Sequence, residues 1–110
     1  MPPRVTSRRQ FARLAQPSQK VRVGPFRIHY VESDESVDTV AVAYAVPKTV
    51  GNAVVRNRIR RQLRSVFDQQ RAELVPGLYL IKCDIPAKDL SYDQLRDYVV
   101  EALKRSALRA

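Results

Sequence analysis

The chain has no tryptophan, only three glycines, and one residue each of cysteine and methionine. Each scarcity removes a class of function. A lone Cys83 excludes an internal disulfide framework and a zinc site built from thiolates alone. Histidine also occurs once, so any Cys–His or Ser–His nucleophilic pair has to use His29. The acids show no paired-carboxylate spacing, and no metal motif occurs. No apolar run approaches membrane-spanning length, and the N-terminus lacks the apolar core of a signal peptide. A cytosolic protein of a reducing, cytoplasmic compartment is therefore expected. The most informative gap is one of charge: no Asp or Glu occurs between Asp38 and Asp68.

What fills that gap is arginine. The 110 residues carry a net charge of +9. Residues 1–67 hold thirteen Lys or Arg against four acids, and all four acids lie within Glu32–Asp38. Residues 68–110 hold seven of each sign, so the whole surplus lies in the first part of the chain. A one-sided basic field favours phosphate backbones and gives binding that weakens steeply with salt. Apolar content of 45% and charged content of 28% fit one folded domain over residues 1–110, with Met1 to Val5 loose.

The basic field centres on one stretch. From Ala53 onward, Val55, Ile59, Leu63, Val66 and Leu74 recur at helical spacing with Phe67 beside them, which makes one apolar stripe. Arg56, Arg60 and Arg64 follow at every fourth position on one shoulder, and Arg58 and Arg61 lie near the other. Asn52 is placed as the N-cap. An exposed helix ordinarily mixes both signs, so guanidiniums without local acids point to an external polyanion. Arginine pairs bidentately with phosphate and stacks on bases, which suits RNA.

The remaining pattern predicts a short helix from Arg8 to about Gln16, with Phe11 and Leu14 on one face and Pro17 as its stop. Strands are expected at Lys20–Val23, Phe26–Val31, Thr39–Val46 and Leu78–Ile85, the last with Tyr79, Ile81, Cys83 and Ile85 on one side. Ser91 and Gln94 form a capping box ahead of a helix carrying Leu95, Tyr98, Val99, Ala102 and Leu103. The strand Thr39–Val46 alternates Val40, Val42, Tyr44 and Val46 with Ala41, Ala43 and Ala45. Its alanine face makes either a shallow groove, flanked by Arg27 and His29 on the neighbouring strand, or a site where a helix packs closely; both readings stand. His29 reads first as a polar surface residue and second as a platform for a base. Cys83 reads as core packing. Asp93, Asp97 and Glu101 read as the solvated side of the last helix.

The run Gly51-Asn52-Ala53-Val54-Val55-Arg56-Asn57-Arg58-Ile59-Arg60-Arg61 resembles the signature of the protein subunit of bacterial ribonuclease P. There a Gly-Asn precedes an Arg-Asn-Arg core and a further basic pair. The match fixes residue types at many positions, and supporting features span nearly the whole chain. The resemblance implies an α/β (α+β) domain of order αβββαβα. Its mixed four-stranded sheet would carry a left-handed βαβ crossover through the arginine helix, against the usual hand. It also implies that the chemistry belongs to an RNA subunit, with Mg²⁺ held mainly by that RNA and the substrate. The protein, inactive alone, would assist removal of the 5′ leader from precursor tRNA. Carried over by position, Asn52, Arg56, Asn57, Arg58, Arg60, Arg61 and Arg64 would contact the catalytic RNA. Phe11, Arg27, His29, Ala43, Ala45 and Lys48 would line the leader cleft.

Three departures shift the emphasis from stacking toward charge. Ala15 stands where the family often has a second aromatic. Arg27 and His29 replace residues that are often apolar or aromatic, and Thr49 follows Lys48 where a second lysine is common. Competing readings are a stand-alone structural RNA binder and a DNA-binding regulator. A strand precedes the arginine helix where a helix-turn-helix would need a partner helix, which disfavours the regulator, so neither DNA nor a membrane is the expected partner. A metal-dependent nuclease acting alone lacks its acidic or histidine cluster.

Overall fold

A computed structural model describes Pro17, residues 19–32 and residues 40–105. Strands β1 (Gln19–Val23), β2 (Phe26–Glu32) and β3 (Val40–Ala45) are followed by helix α1 (Ala53–Gln70), strand β4 (Gly77–Cys83) and helix α2 (Tyr92–Arg105). Short 3-10 turns lie at Lys48–Val50, Arg71–Glu73 and Ile85–Asp89. The helix expected over 8–16 with Phe11, the segment Met1–Val5 and acidic residues 33–38 fall outside the described residues. Glu32, expected in the acidic loop, is the last residue of β2.

The β1–β2 hairpin closes with Val23 opposite Phe26, leaving Gly24-Pro25 as a two-residue turn. Gly24 takes a φ of 56°, the positive value that such turns require and glycine adopts at least cost. A Cβ at this position would come within 2.5 Å of the Tyr98 ring, so the same glycine lets α2 lie against the turn.

The strand order is β1-β2-β4-β3, with β4 antiparallel to β2 and parallel to β3. A parallel pair cannot be closed by a tight turn, and α1 supplies the crossover. The composition of β4 suits its central place, because Leu78 and Leu80 on one side and Tyr79, Ile81 and Cys83 on the other give it two apolar faces. The edge strand β1 instead carries Lys20 and Arg22, charges that discourage edge pairing. The mixed four-stranded sheet and the α+β class agree with expectation. The neighbour of the alanine strand does not. It was expected to adjoin the strand of Arg27 and His29, but β4 lies between them. Leu80 therefore separates Ala43 from His29, and Lys82 separates Ala45 from Arg27.

Both helices pack on one side of the sheet around Phe26, Ile28, Val42, Tyr79 and Ile81. Helix α1 contributes Ile59, Leu63, Val66 and Phe67, all fully buried, and α2 contributes Leu95, Val99, Ala102 and Leu103. The Phe67 ring meets Tyr44 and Tyr79 edge-on, at 6.1 and 6.2 Å between centroids. On the opposite side Val31, Ala41, Ala43 and Leu78 form a second, smaller apolar cluster with Leu80.

Three local expectations change. Leu74 is buried but follows the Arg71–Glu73 turn, so the stripe of α1 ends at Phe67. Ile85 is 49% exposed in the turn after β4, whose ladder ends at the Cys83–Phe26 pair; Pro86 has no amide to extend it. Tyr98 lies at the rim of the core, tilted over Phe26 at 6.3 Å. The Ser91–Gln94 capping box forms as expected: Ser91 N donates to Gln94 Oε1 at 2.9 Å, and Gln94 N donates to Ser91 Oγ at 3.2 Å. No described helix is long and apolar enough to cross a membrane.

Candidate nucleic-acid interface

Asn52 caps α1 as expected: its Oδ1 accepts a hydrogen bond from Val55 N at 3.0 Å, satisfying one of the orphan amides of the first turn. The buried stripe then fixes the rotation of the helix and turns the basic residues outward. Asn52, Asn57 and Arg61 are exposed, while Arg56, Arg58, Arg60 and Arg64 are half-buried. None of these five arginines forms an ion pair with a described acid. Neutral acceptors hold two of them. Asn57 Oδ1 accepts from Arg60 Nη1 at 3.0 Å, and the backbone oxygen of Lys88 accepts from Arg58 Nη2 at 2.8 Å. Arg64 lies over the Tyr44 ring, 5.7 Å from its centroid. The Nε atoms of Arg56, Arg58 and Arg64 are buried without a partner, a cost that an incoming phosphate oxygen would remove.

The second candidate surface is the sheet side away from the helices. Cross-strand register places Lys20, His29, Leu80 and Ala43 in one row, and Arg22, Arg27, Lys82 and Ala45 in the next. Residues paired across strands point to the same face, so the second row brings three cations side by side. Asp84 is the local counterion: its carboxylate meets Arg22 at 2.9 Å and Arg27 at 3.1 Å. Burial lowers the pKa of His29 below its ordinary 6.5, and the nearby cations Lys82, Lys20 and Arg27 lower it further. Ala43 is buried in the smaller apolar cluster. Ala45 instead lines a pocket.

That pocket, of about 420 Å³, lies where α1 meets the ends of β3 and β4. It gathers Arg27 from β2, Arg60 from α1 and Lys82 from β4, together with Tyr44, Ala45 and Pro47. Two groups of residues that the sequence assigned to separate surfaces, Arg60 to one and Arg27 with Ala45 to the other, thus share one concavity. Lys48 is exposed on the turn beside it and does not line it. Phe11 lies outside the described residues. Sequence reasoning missed Lys20, Arg22, Lys82 and Asp84. Lys82 left a signal: a lysine in the apolar run Gly77–Cys83, in the alternation phase of Leu78 and Leu80.

Cys83 also borders the pocket, but burial, reinforced by Asp84, pushes its thiol up to about 11 against the opposing pull of Arg60 and Arg27. A thiol held protonated at neutral pH is a poor nucleophile, so packing is its role. Among the described residues no group of three or more His, Cys, Asp or Glu side chains is placed to hold a metal ion. The chemistry within reach of this surface is anion binding, hydrogen-bond donation and stacking.

Comparison with known proteins agrees with that character. The family model described as Ribonuclease P matches residues 2–107. The chain is 31% identical over 108 residues to the ribonuclease P protein component of Shouchella clausii, covering 97% of this chain and 88% of that protein. It is 25% identical to the component from Bacillus cereus strain AH187, covering 96% and 92%. Its fold superposes on the RNase P protein of Staphylococcus aureus with a TM-score of 0.87 at 23% identity, over 97% of each chain. The Thermotoga maritima RNase P protein gives a TM-score of 0.80 at 18% identity, over 93% of this chain and 96% of that one. With a family match over almost its whole length and a shared fold, the chain belongs to the ribonuclease P protein family.

Proposed function

We propose that this chain binds the RNA subunit of ribonuclease P through α1 and guides the 5′ leader of precursor tRNA across the sheet face. The observation that carries this reading is a set of five arginines on α1 that have no acidic partner among the described residues, continuous at Arg60 with a cationic pocket on the sheet. In this reading Asn52, Arg56, Asn57, Arg58, Arg61 and Arg64 take phosphates and riboses of a structured RNA. The row from Arg22 to Ala45 takes a single strand.

The division of labour follows from what the side chains can do. Arginines and a lysine neutralise phosphates and fix their position, and fixed position is a large part of catalysis when two RNA molecules must meet in register. Mg²⁺ would be held by the RNA and its substrate and would there supply a nucleophile at neutral pH, while the arginines and lysine of this chain screen phosphate repulsion so that the two RNA molecules can approach. The protein alone is then inert, and its compartment is the cytoplasm, where precursor tRNA is processed. The test is cleavage of a leader-bearing precursor tRNA by bacterial ribonuclease P RNA at limiting Mg²⁺, with and without this protein. Rescue by the protein, with no cleavage by protein alone, is the expected result. RNA binding without rescue would replace this reading with that of a structural RNA-binding protein.

A further inference from the structure

An acid stands at the end of the cationic row. Asp84 has a fixed backbone: its N donates to Pro25 O at 2.8 Å, one step beyond the last ladder pair, Phe26 with Cys83. Its carboxylate has nothing to cap in the turn that follows. Pro86 carries no amide, and Ala87 N already donates to the Asp84 backbone oxygen at 3.0 Å. Both carboxylate oxygens go instead to arginines of different strands. Oδ2 accepts from Arg22 Nη2 at 2.9 Å, and Oδ1 accepts from Arg27 Nη2 at 3.1 Å.

Two anionic oxygens that bridge two guanidiniums are also what a phosphate would offer this pair. Arg22 and Arg27 face each other in the β1–β2 register. A phosphate arriving there competes with the carboxylate for the same donors and is repelled by its charge. The Asp84 side chain is 31% exposed, so its ion pairs are of the weak, exchangeable kind that an incoming anion can replace.

We propose that Asp84 is a specificity-determining residue, an internal stand-in for phosphate that occupies the Arg22–Arg27 pair until a tethered RNA strand displaces it. A free single strand meets this competition at its own low concentration. A leader joined to a tRNA that the complex already holds meets it at a high effective concentration and prevails. The carboxylate thereby keeps a strongly basic sheet face from being filled by unrelated single strands. That the tethered strand is the leader rests on the function proposed above; the competition between Asp84 and phosphate does not.

The test measures binding of fluorescein-labelled hexauridylate to the full chain over a range of salt concentrations. Asp84→Asn strengthens binding about three- to tenfold, the worth of one or two exposed ion pairs. It also steepens the slope of log K against log salt by about 0.7–1.4, as one or two further phosphates on a single strand require. Asp89→Asn removes an equal charge from the exposed end of the same turn and changes affinity by less than about twofold. The unaltered protein gives a second reading by NMR: the carboxylate carbon resonance of Asp84 moves on saturation with hexauridylate, and that of Asp89 does not. Weaker or unchanged binding by a folded Asp84→Asn variant would overturn the proposal, because the carboxylate would then position or merely balance the arginines. Equal gains from the two variants would assign the effect to net charge and overturn it as well. An unmoved Asp84 resonance would do so even where the variant fails to fold. In the enzyme reconstituted with ribonuclease P RNA, hexauridylate inhibits leader cleavage more strongly with Asp84→Asn than with the unaltered chain; equal inhibition would overturn the role in selectivity. Failure of this chain to rescue cleavage, with the hexauridylate gain intact, removes the proposed function and leaves the competition. Rescue without that gain removes the competition alone.

Discussion

Along the outer side of α2 each arginine has an acid of its own helix: Arg96 lies 3.4 Å from both Asp93 and Asp97, and Arg105 lies 3.1 Å from Glu101. Along α1, five arginines have none. Both helices bury four fully enclosed apolar residues in the same core, so packing does not distinguish them. The handling of charge does. A helix whose surface serves only solvation can neutralise itself with pairs three or four residues apart, each of small worth. A helix that leaves its guanidiniums to neutral acceptors, an aromatic face and unpartnered Nε atoms is suited to a foreign anion.

The largest expected effect tests the shared part of that comparison. Leu63→Ala in α1 and Leu95→Ala in α2 each remove a fully buried side chain and should each cost about 2–5 kcal/mol in denaturant unfolding. Costs of similar size would place the difference between the helices in their surfaces; a much smaller cost for Leu63 would mean that α1 is held by something other than its stripe.

The surfaces are separated next. The double variant Arg56→Ala, Arg61→Ala should lower affinity for the RNA by about ten- to a hundredfold at low salt. It should also flatten the slope of log K against log salt by roughly 1.4–1.8. The matched pair Arg96→Ala, Arg105→Ala on α2 should change neither. Equal effects from the two pairs would show that net charge, and not the placement of α1, governs binding.

Arg58 crosses the categories. Its hydrogen bond to the Lys88 carbonyl ties α1 to the turn before α2, so Arg58→Ala should cost about 0.5–1.5 kcal/mol of stability as well as RNA affinity. Weaker binding with unchanged stability would mean that the bond contributes nothing to the fold.

The smallest effect concerns pH. The folded His29 has a pKa below 6.5, so the unfolded chain binds the proton more readily. Its stability contribution is fully present above 6.5 and is lost as pH falls below that value. A bound polyanion opposes the field of Lys82, Lys20 and Arg27 and raises this pKa. RNA affinity should therefore strengthen as pH falls from about 6.5 toward 5, with proton uptake on binding. Isothermal titration in two buffers of different ionisation enthalpy measures that uptake, and His29→Gln should abolish it. Undiminished uptake in the variant would assign the proton to another group.

Much of this was written in local pattern. The spacing of Ile59, Leu63 and Val66 defines α1 and turns its arginines outward, Asn52 caps it, Ser91 and Gln94 cap α2, and the strand runs alternate as they read. Such features depend on residues within a turn or two of one another, where periodicity and capping chemistry act. They were enough to indicate the fold class, the basic face and the family.

What the tertiary structure decided was adjacency. The insertion of β4 between β2 and β3 pairs residues some fifty positions apart, and nothing in either segment alone specifies that partner. From it follow the row Arg22, Arg27, Lys82 and Ala45, the Asp84 clamp and the pocket that joins Arg60 to the sheet. The sequence by itself determined which faces are apolar and which are charged, because side-chain direction follows the local backbone repeat. Only the packed chain determined which charged faces meet, because long-range pairing is settled by burying all the apolar faces at once.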